Sequence, residues 1–253
     1  VSFQIATGAT TGTYFPVGQA MAGLLSHPPG VGRCETATVC GPTGVIISAR
    51  TSPGAVANLR MVNQGQVDSG LVQGDVIAAA ATGRGPFRRL GAQKHVRVIG
   101  SLFSEQVHLV AAAKSGIAKV EDLRGHRVAF GSNETGSAVT AREILLAYRI
   151  PESRVKLVGG DSSTEQLLRD GKIDAFFAVA GVPLDSVRDL IRAHLAVLVP
   201  IDGPGRDRLV HMVPSLTPAV IAQNAYRGQP EIQTVGTRAY WITRDGESDA
   251  LIY

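Results

Sequence analysis

The sequence predicts an α/β protein made of two similar lobes with a ligand cleft between them. Three observations carry that expectation. Short β-rich runs alternate with helical patterns along the whole chain, which builds βαβ units and mostly parallel sheets. A weak internal duplication repeats the same ordered signals in each half. The 29 glycines, set against 5% aromatic residues, suit the many tight strand-to-helix turns of such a fold.

Strands are expected at Phe3–Thr7, Val45–Arg50, Ser69–Gln73, Val96–Leu102, Val107–Ala112, Arg127–Phe130, Val155–Val158, Ala175–Val179, Ala196–Val199 and Arg238–Thr243. Each is a short run of β-branched or apolar residues bounded by turn formers. Helices are expected between them, near Tyr14–Leu25, Pro53–Asn63, Asp75–Ala81, Ser137–Tyr148, Ser163–Arg169 and Pro183–Ala193. Their starts carry cap residues or proline, and several end on glycine.

The duplication has two parts. Thr11-Gly12-Thr13 follows a strand and precedes a helix, and Thr135-Gly136-Ser137 does the same in the second half. Each half then runs through a Gly-x-β-branched-Asp turn into another strand, Gly65-Gln66-Val67-Asp68 in one and Gly171-Lys172-Ile173-Asp174 in the other. The glycine ends a helix and the aspartate precedes a strand. Ligands of open α/β sheets lie beyond the carboxyl ends of the strands, so both Thr-Gly turns are expected to face a shared cleft. Residues 1–103 with 235–253 form the first expected lobe and 104–234 the second, with crossings at polar Phe103–Gln106 and near Gln233–Gly236.

Bulk properties narrow the function. The 253 residues suffice for two lobes with real cores. Net charge is +4, but lysine and arginine are scattered; the densest cluster is Arg84, Arg88, Arg89, Lys94 and Arg97. No aromatic-plus-basic stripe accompanies it, so nucleic acid is not an expected partner. No apolar run reaches the ~20 residues of a membrane helix. The chain opens on strand-like Phe3–Ala6, as either a mature chain with its leader removed or a cytosolic protein would. Cys34 and Cys40, the only cysteines, close a short polar loop. That pattern suggests a disulfide and an oxidising compartment.

Five strand-to-helix turns carry the candidate site. In Gly8–Pro16, glycine admits a ligand to the backbone and the amides at the helix start favour an anion, with the Thr11 and Thr13 hydroxyls flanking Gly12 as further donors. Gly131–Ser137 repeats this physics with Thr135, Gly136 and Ser137, while Glu134 suits a ligand ammonium. In Thr51–Asn58, Ser52 reads as N-cap and Pro53 as the first helical residue, and Asn58, a mediocre helix former, is free to bond a loop or a ligand. Gln73 ends a strand and Asp75 opens the next helix. Gly181-Val182-Pro183 is a further such turn, with Pro183 at the first helical position.

Catalysis finds little support. The six histidines show no metal-ligand spacing, and no Gly-x-Ser-x-Gly elbow, Walker loop or dinucleotide fingerprint occurs. No cofactor or metal is expected. An enzyme on the same fold, transferase-like, would need a cleft Asp or Lys; Asp75 and Glu134 are the only carboxylates to nominate. A ligand-sensing domain of a receptor or regulator is the other alternative.

The ordered set Gly8-x-x-x-Gly12-Thr-Tyr-Phe-Pro16, Thr51-Ser-x-Gly-Ala-Val-Ala-Asn-Leu59 and Gly65-x-Val-Asp-Ser-Gly-Leu-Val-Gln-x-Asp75 resembles the TAXI-type solute receptors of TRAP transporters. Val120–Val128, Gly131–Ser137, Gly171–Phe176, Ala180–Pro183 and Tyr240–Thr243 extend the resemblance over almost the whole chain. It implies a hinged type II periplasmic-binding-protein fold, an export leader and a periplasmic or lipid-anchored location. It also implies a monomer that delivers a small anionic or zwitterionic solute, such as glutamate or glutamine, to a TRAP-type membrane permease. Carried over residue by residue, it assigns ligand contact to Thr11, Gly12, Thr13, Tyr14, Ala55, Asn58, Gln73, Asp75, Thr135, Gly136, Ser137, Gly181, Val182 and Pro183. The family often has Gly-Ser where this chain has Gly54-Ala55, which removes one hydroxyl, and Glu134 puts a negative charge beside the anion site. Relatives of this type continue through further helices beyond the equivalent of Tyr253, so a shortened carboxyl end is expected here.

Overall fold

The computed structural model describes residues 1–30, 40–159 and 163–247. The chain divides into two compact units, Val1–Leu102 with Ala239–Tyr253 and Phe103–Arg238.

Unit 1 is built from β1 (Ser2–Ala6), α1 (Tyr14–Leu25), β2 (Ile46–Arg50), α2 (Ala55–Asn63), β3 (Ser69–Gln73) and α3 (Gly74–Thr82). It also holds the first part of β4 (Val96–Ala112) and the last part of β10 (Ile232–Arg244). β1 pairs in parallel with β2 and β3, and β10 runs antiparallel to β3, with Ala239 opposite Gln73 and Thr243 opposite Ser69. All five residues of β3 are buried, as expected of a central strand covered on both faces. Ile5, Leu59, Val62, Leu71 and Val76 form the core around it, each contributing about 1.5–3 kcal/mol by leaving water. Gly18 lets α1 close on the sheet, because a Cβ there would sit 2.4 Å from Thr7 Cγ2.

Unit 2 contains the rest of β4, then β5 (Arg127–Ala129), α4 (Gly136–Ala147), β6 (Lys156–Leu157), α5 (Thr164–Arg169) and β7 (Ala175–Ala180). After these come α6 (Asp185–Arg192), β8 (Ala196–Val199), α7 (Gly203–Met212), β9 (Thr217–Ile221) and the start of β10. β5 pairs in parallel with β6 and β7, while β4 pairs antiparallel with β7 and β8. α6 shows how a helix is written here: Val187, Leu190 and Ile191 are buried at i, i+3 and i+4. Asp185 in its first turn and Arg192 in its last match the helix dipole.

The duplicated Gly-Asp turns make the same bonds in both units. Gly65 (φ 68°) and Gly171 (φ 65°) occupy the left-handed conformation that glycine tolerates. Gln66 N donates to Met61 O and Lys172 N to Leu167 O, closing α2 and α5 identically. Asp68 Oδ2 then accepts from Gln4 N at 2.7 Å, and Asp174 Oδ2 from Arg127 N at 2.8 Å. Each aspartate thus registers its strand against a parallel neighbour. In unit 2 the Arg127 side chain joins in, Nη2 lying 2.6 Å from Asp174 Oδ1. That bond holds the Asp174 carboxyl down at about 2.

Four expectations are corrected. The polar stretch Phe103–Gln106 is not a loop: β4 is continuous from Val96 to Ala112. Backbone pairing sustains a strand through polar side chains; Gly236 of β10 approaches so closely that a Cβ there would lie 2.9 Å from the Glu105 carbonyl oxygen. α2 begins at Ala55 behind Gly54 (φ 142°), not at Pro53, because Ser52 Oγ accepts from Gly54 N in a local turn instead of capping a helix. α6 begins at Asp185, leaving Pro183 before the helix; the Val182–Pro183 peptide is cis. α7, β9 and the first half of β10 have no counterpart in the expected elements. Gly203-Pro204-Gly205 reads as a turn, yet proline is tolerated in a helix's first turn. Pro218 argues against a central strand, but β9 pairs only with β10 among the described residues, and proline is accepted at an edge.

Candidate functional site

In unit 1 the candidate residues gather at the carboxyl ends of β1, β2 and β3. Thr7 N and Oγ1 both donate to Arg50 O, at 2.9 and 2.7 Å. Ser52 N donates to Gly8 O at 3.3 Å. The loops after β1 and β2 are therefore stitched together. Asn58, wholly buried on α2, spans to both other strands: its Nδ2 donates to Thr7 O at 2.6 Å and to Leu71 O at 2.8 Å. Both amide hydrogens serve the protein's own backbone, and among the described residues Oδ1 has no hydrogen-bond partner. Gly70 permits this brace, since a Cβ there would come 3.2 Å from Asn58 Cβ.

Thr11 is exposed, while Gly12, Thr13 and Tyr14 are half-buried. Thr13 occupies the N-cap of α1 without a side-chain capping bond, unlike a conventional threonine cap. Ala55 is buried at the start of α2. Gln73 and Asp75 form a buried pair, with Gln73 Nε2 donating to Asp75 Oδ1 at 2.7 Å. The same oxygen accepts from Val76 N at 3.0 Å, placing a carboxylate in the first turn of α3, where the dipole favours it.

In unit 2 the equivalent turn is more committed to itself. Thr135 caps α4: Oγ1 accepts from Ala138 N at 3.2 Å and donates to Ser132 O at 2.8 Å. Ser137 Oγ accepts from Val179 N at 3.0 Å, tying α4 to β7. Gly136 is buried and Glu134 half-buried. Gly181 and Val182 are half-buried and Pro183 is exposed.

Sequence reasoning missed what holds the Gly181–Pro183 turn. Leu184 N, the next amide, donates to Tyr226 Oη at 2.8 Å, and that hydroxyl lies 2.7 Å from His108 Nε2. His108 Nδ1 lies 3.0 Å from Gln106 O. A carbonyl can only accept, so Nδ1 carries the proton and Nε2 accepts from the tyrosine. Burial pushes the Tyr226 phenol up to about 12 and the His108 imidazole down to about 4. No spacing rule links residues 118 positions apart, so no signal in the sequence exposes this relay.

Among the described residues, no group of three or more His, Cys, Asp or Glu side chains is placed to hold a metal. No described helix is long and apolar enough to cross a membrane. Cys34 lies outside the described residues.

Helix starts and glycine turns at the carboxyl ends of parallel strands, in each of two α/β units, are features of the type II periplasmic-binding-protein fold. The chain belongs to the NMT1-like family, whose model matches residues 5–253. The alkanesulfonate-binding protein SsuA from Xanthomonas axonopodis pv. citri, bound to MOPS, matches with TM-score 0.54 and 15% identity. That match covers 96% of this chain but 65% of SsuA. An ancestral arginine-binding protein bound to arginine matches with TM-score 0.54 and 15% identity, over 99% of this chain and 87% of that one. The substrate-binding protein of an amino acid ABC transporter gives TM-score 0.54 and 15% identity, over 99% and 88%. These likenesses establish the fold.

Proposed function

We propose that the chain is an extracytoplasmic solute-binding subunit that captures a small carboxylate or amino acid and hands it to a membrane permease. The observation that supports this most is the duplicated turn itself. Thr11–Thr13 leads from β1 into α1, and Thr135–Ser137 leads from β5 into α4, each at a carboxyl strand end. Helix-start amides there favour an anionic group. Gln73 with Asp75, and Gly181–Pro183, supply the remaining contacts, and Glu134 meets a ligand ammonium. Asn58 and Ala55 shape the first unit's turn. The finer reading is a TAXI-type receptor working as a periplasmic monomer with a TRAP-type permease and a glutamate- or glutamine-like solute. The Cys34–Cys40 disulfide belongs to the same proposal; two titratable thiols in the folded, unreduced chain would refute it.

Isothermal titration against L-glutamate, L-glutamine, arginine, small dicarboxylates and alkanesulfonates should give micromolar or tighter binding to at least one. That ligand should stabilise the fold by about 2.7 kcal/mol at a hundred times its Kd. A folded protein that gives no heat with any of them overturns the reading.

A further inference from the structure

We propose that unit 2 carries a separate pocket for a small organic carboxylate, built around Arg142. A cavity of about 350 Å³ opens at the carboxyl ends of β5 and β6, walled by Phe130, Ser132, Asn133, Arg142, Leu157 and Val158. Its size falls at the lower end of the roughly 300–1,000 Å³ that hold small ligands. Arg142, Phe130, Leu157 and Val158 lie outside the ligand set proposed above, while Ser132 and Asn133 belong to the turn that leads into its Thr135–Ser137 part.

The guanidinium is held in place before any ligand arrives. Nη2 donates to Asn133 Oδ1 at 2.7 Å and Nη1 to Ala138 O at 3.2 Å. Cζ stands 5.7 Å from the centroid of the Phe130 ring, a cation–π distance. Phe130 is itself fixed edge-on against Phe177, centroids 5.8 Å apart. These bonds use one hydrogen on each terminal nitrogen and leave the second on each as a charged donor for a carboxylate oxygen. Asn133 gives its oxygen to Arg142 and keeps its NH2 as a donor. Ser132 Oγ accepts from Glu134 N at 3.3 Å and keeps its hydroxyl hydrogen. The polar wall therefore offers donors and a positive charge, while Phe130, Leu157 and Val158 suit a short apolar body. Glu152 Oε1 approaches Nε at 3.3 Å, but its side chain is 46% exposed, so solvent screens the competition.

The test is a titration of the whole chain with sodium propionate at fixed ionic strength, followed by amide nitrogen–proton correlation spectra. Saturable shifts are expected at Gly131, Ser132, Asn133 and Gly159. Propionamide, the neutral isostere, and the Arg142→Gln variant should each bind at least about ten-fold more weakly, as loss of a charged hydrogen bond implies. Glu152→Gln alters only an exposed competitor and should bind about two- to five-fold more tightly. Unsaturable shifts, equal binding of propionate and propionamide, or indifference to Glu152→Gln overturns the pocket, even if Arg142→Gln fails to fold. The outcome is independent of the solute panel, so the receptor reading and the pocket stand or fall separately.

Discussion

Lowering the pH from 7 to 4 is expected to destabilise unit 2 by about 3 kcal/mol through His108 alone. The imidazole is wholly buried, and desolvation is the main reason its pKa drops from 6.5 to about 4; the backbone bonds to Gln106 and Ala178 oppose that drop without cancelling it. The unfolded chain keeps the ordinary value. Between pH 6.5 and 4 the unfolded state therefore binds a proton that the folded state refuses, and stability falls as pH falls. Below about 4 both states are protonated and this contribution levels off. Asp174 then takes over: its carboxyl titrates at about 2 when folded against 3.8 when free, so its contribution is lost between those two values. Urea midpoints at pH 7, 5.5 and 4 measure the first step. His108→Phe, which cannot titrate, should flatten that step whatever its baseline stability. An equal fall in the wild type and the variant would show that His108 is not its source.

The same relay shows where sequence reading stops. Elements whose signals are local were legible. Tyr14–Leu25, Ser69–Gln73 and Ala196–Val199 fall where turn residues and hydrophobic runs place them. The Gly-Asp turns were visible as a pattern, and the fold shows why the pattern recurs: Asp68 and Asp174 each satisfy a neighbouring strand's amide. What was not legible depends on partners distant in the chain. Polar Ser104 and Glu105 look like a linker until β10 supplies a ladder beside them. Arg142, in the middle of a helix, looks like a solvated side chain until Phe130 and Asn133 are folded around it. His108 looks like any core histidine until Tyr226 arrives from the far end of unit 2, already holding Leu184 N.

Asn58→Leu should cost unit 1 about 2–5 kcal/mol, the largest loss expected from any single side chain in the candidate turns. Leucine keeps the branched heavy-atom skeleton of asparagine and is somewhat bulkier, so little of the cost comes from a cavity. It comes from Thr7 O and Leu71 O, two buried carbonyls that each lose a short bond, at about 1–3 kcal/mol per unsatisfied group. Crowding adds to it, because Gly70 leaves room for Asn58 Cβ and little more. Asn58→Asp should be as damaging or worse at neutral pH, since it replaces the donor with a buried charge facing two carbonyl oxygens. Urea unfolding followed by Trp241, which packs edge-on against Phe3 in the same unit, reads the effect directly. A loss below about 1 kcal/mol would mean that the brace is redundant. A larger loss carries a functional corollary: the asparagine serves the site by joining the loop after β1 to the end of β3, so surviving ligand affinity in a milder variant should fall with the stability of those turns and not through a missing contact.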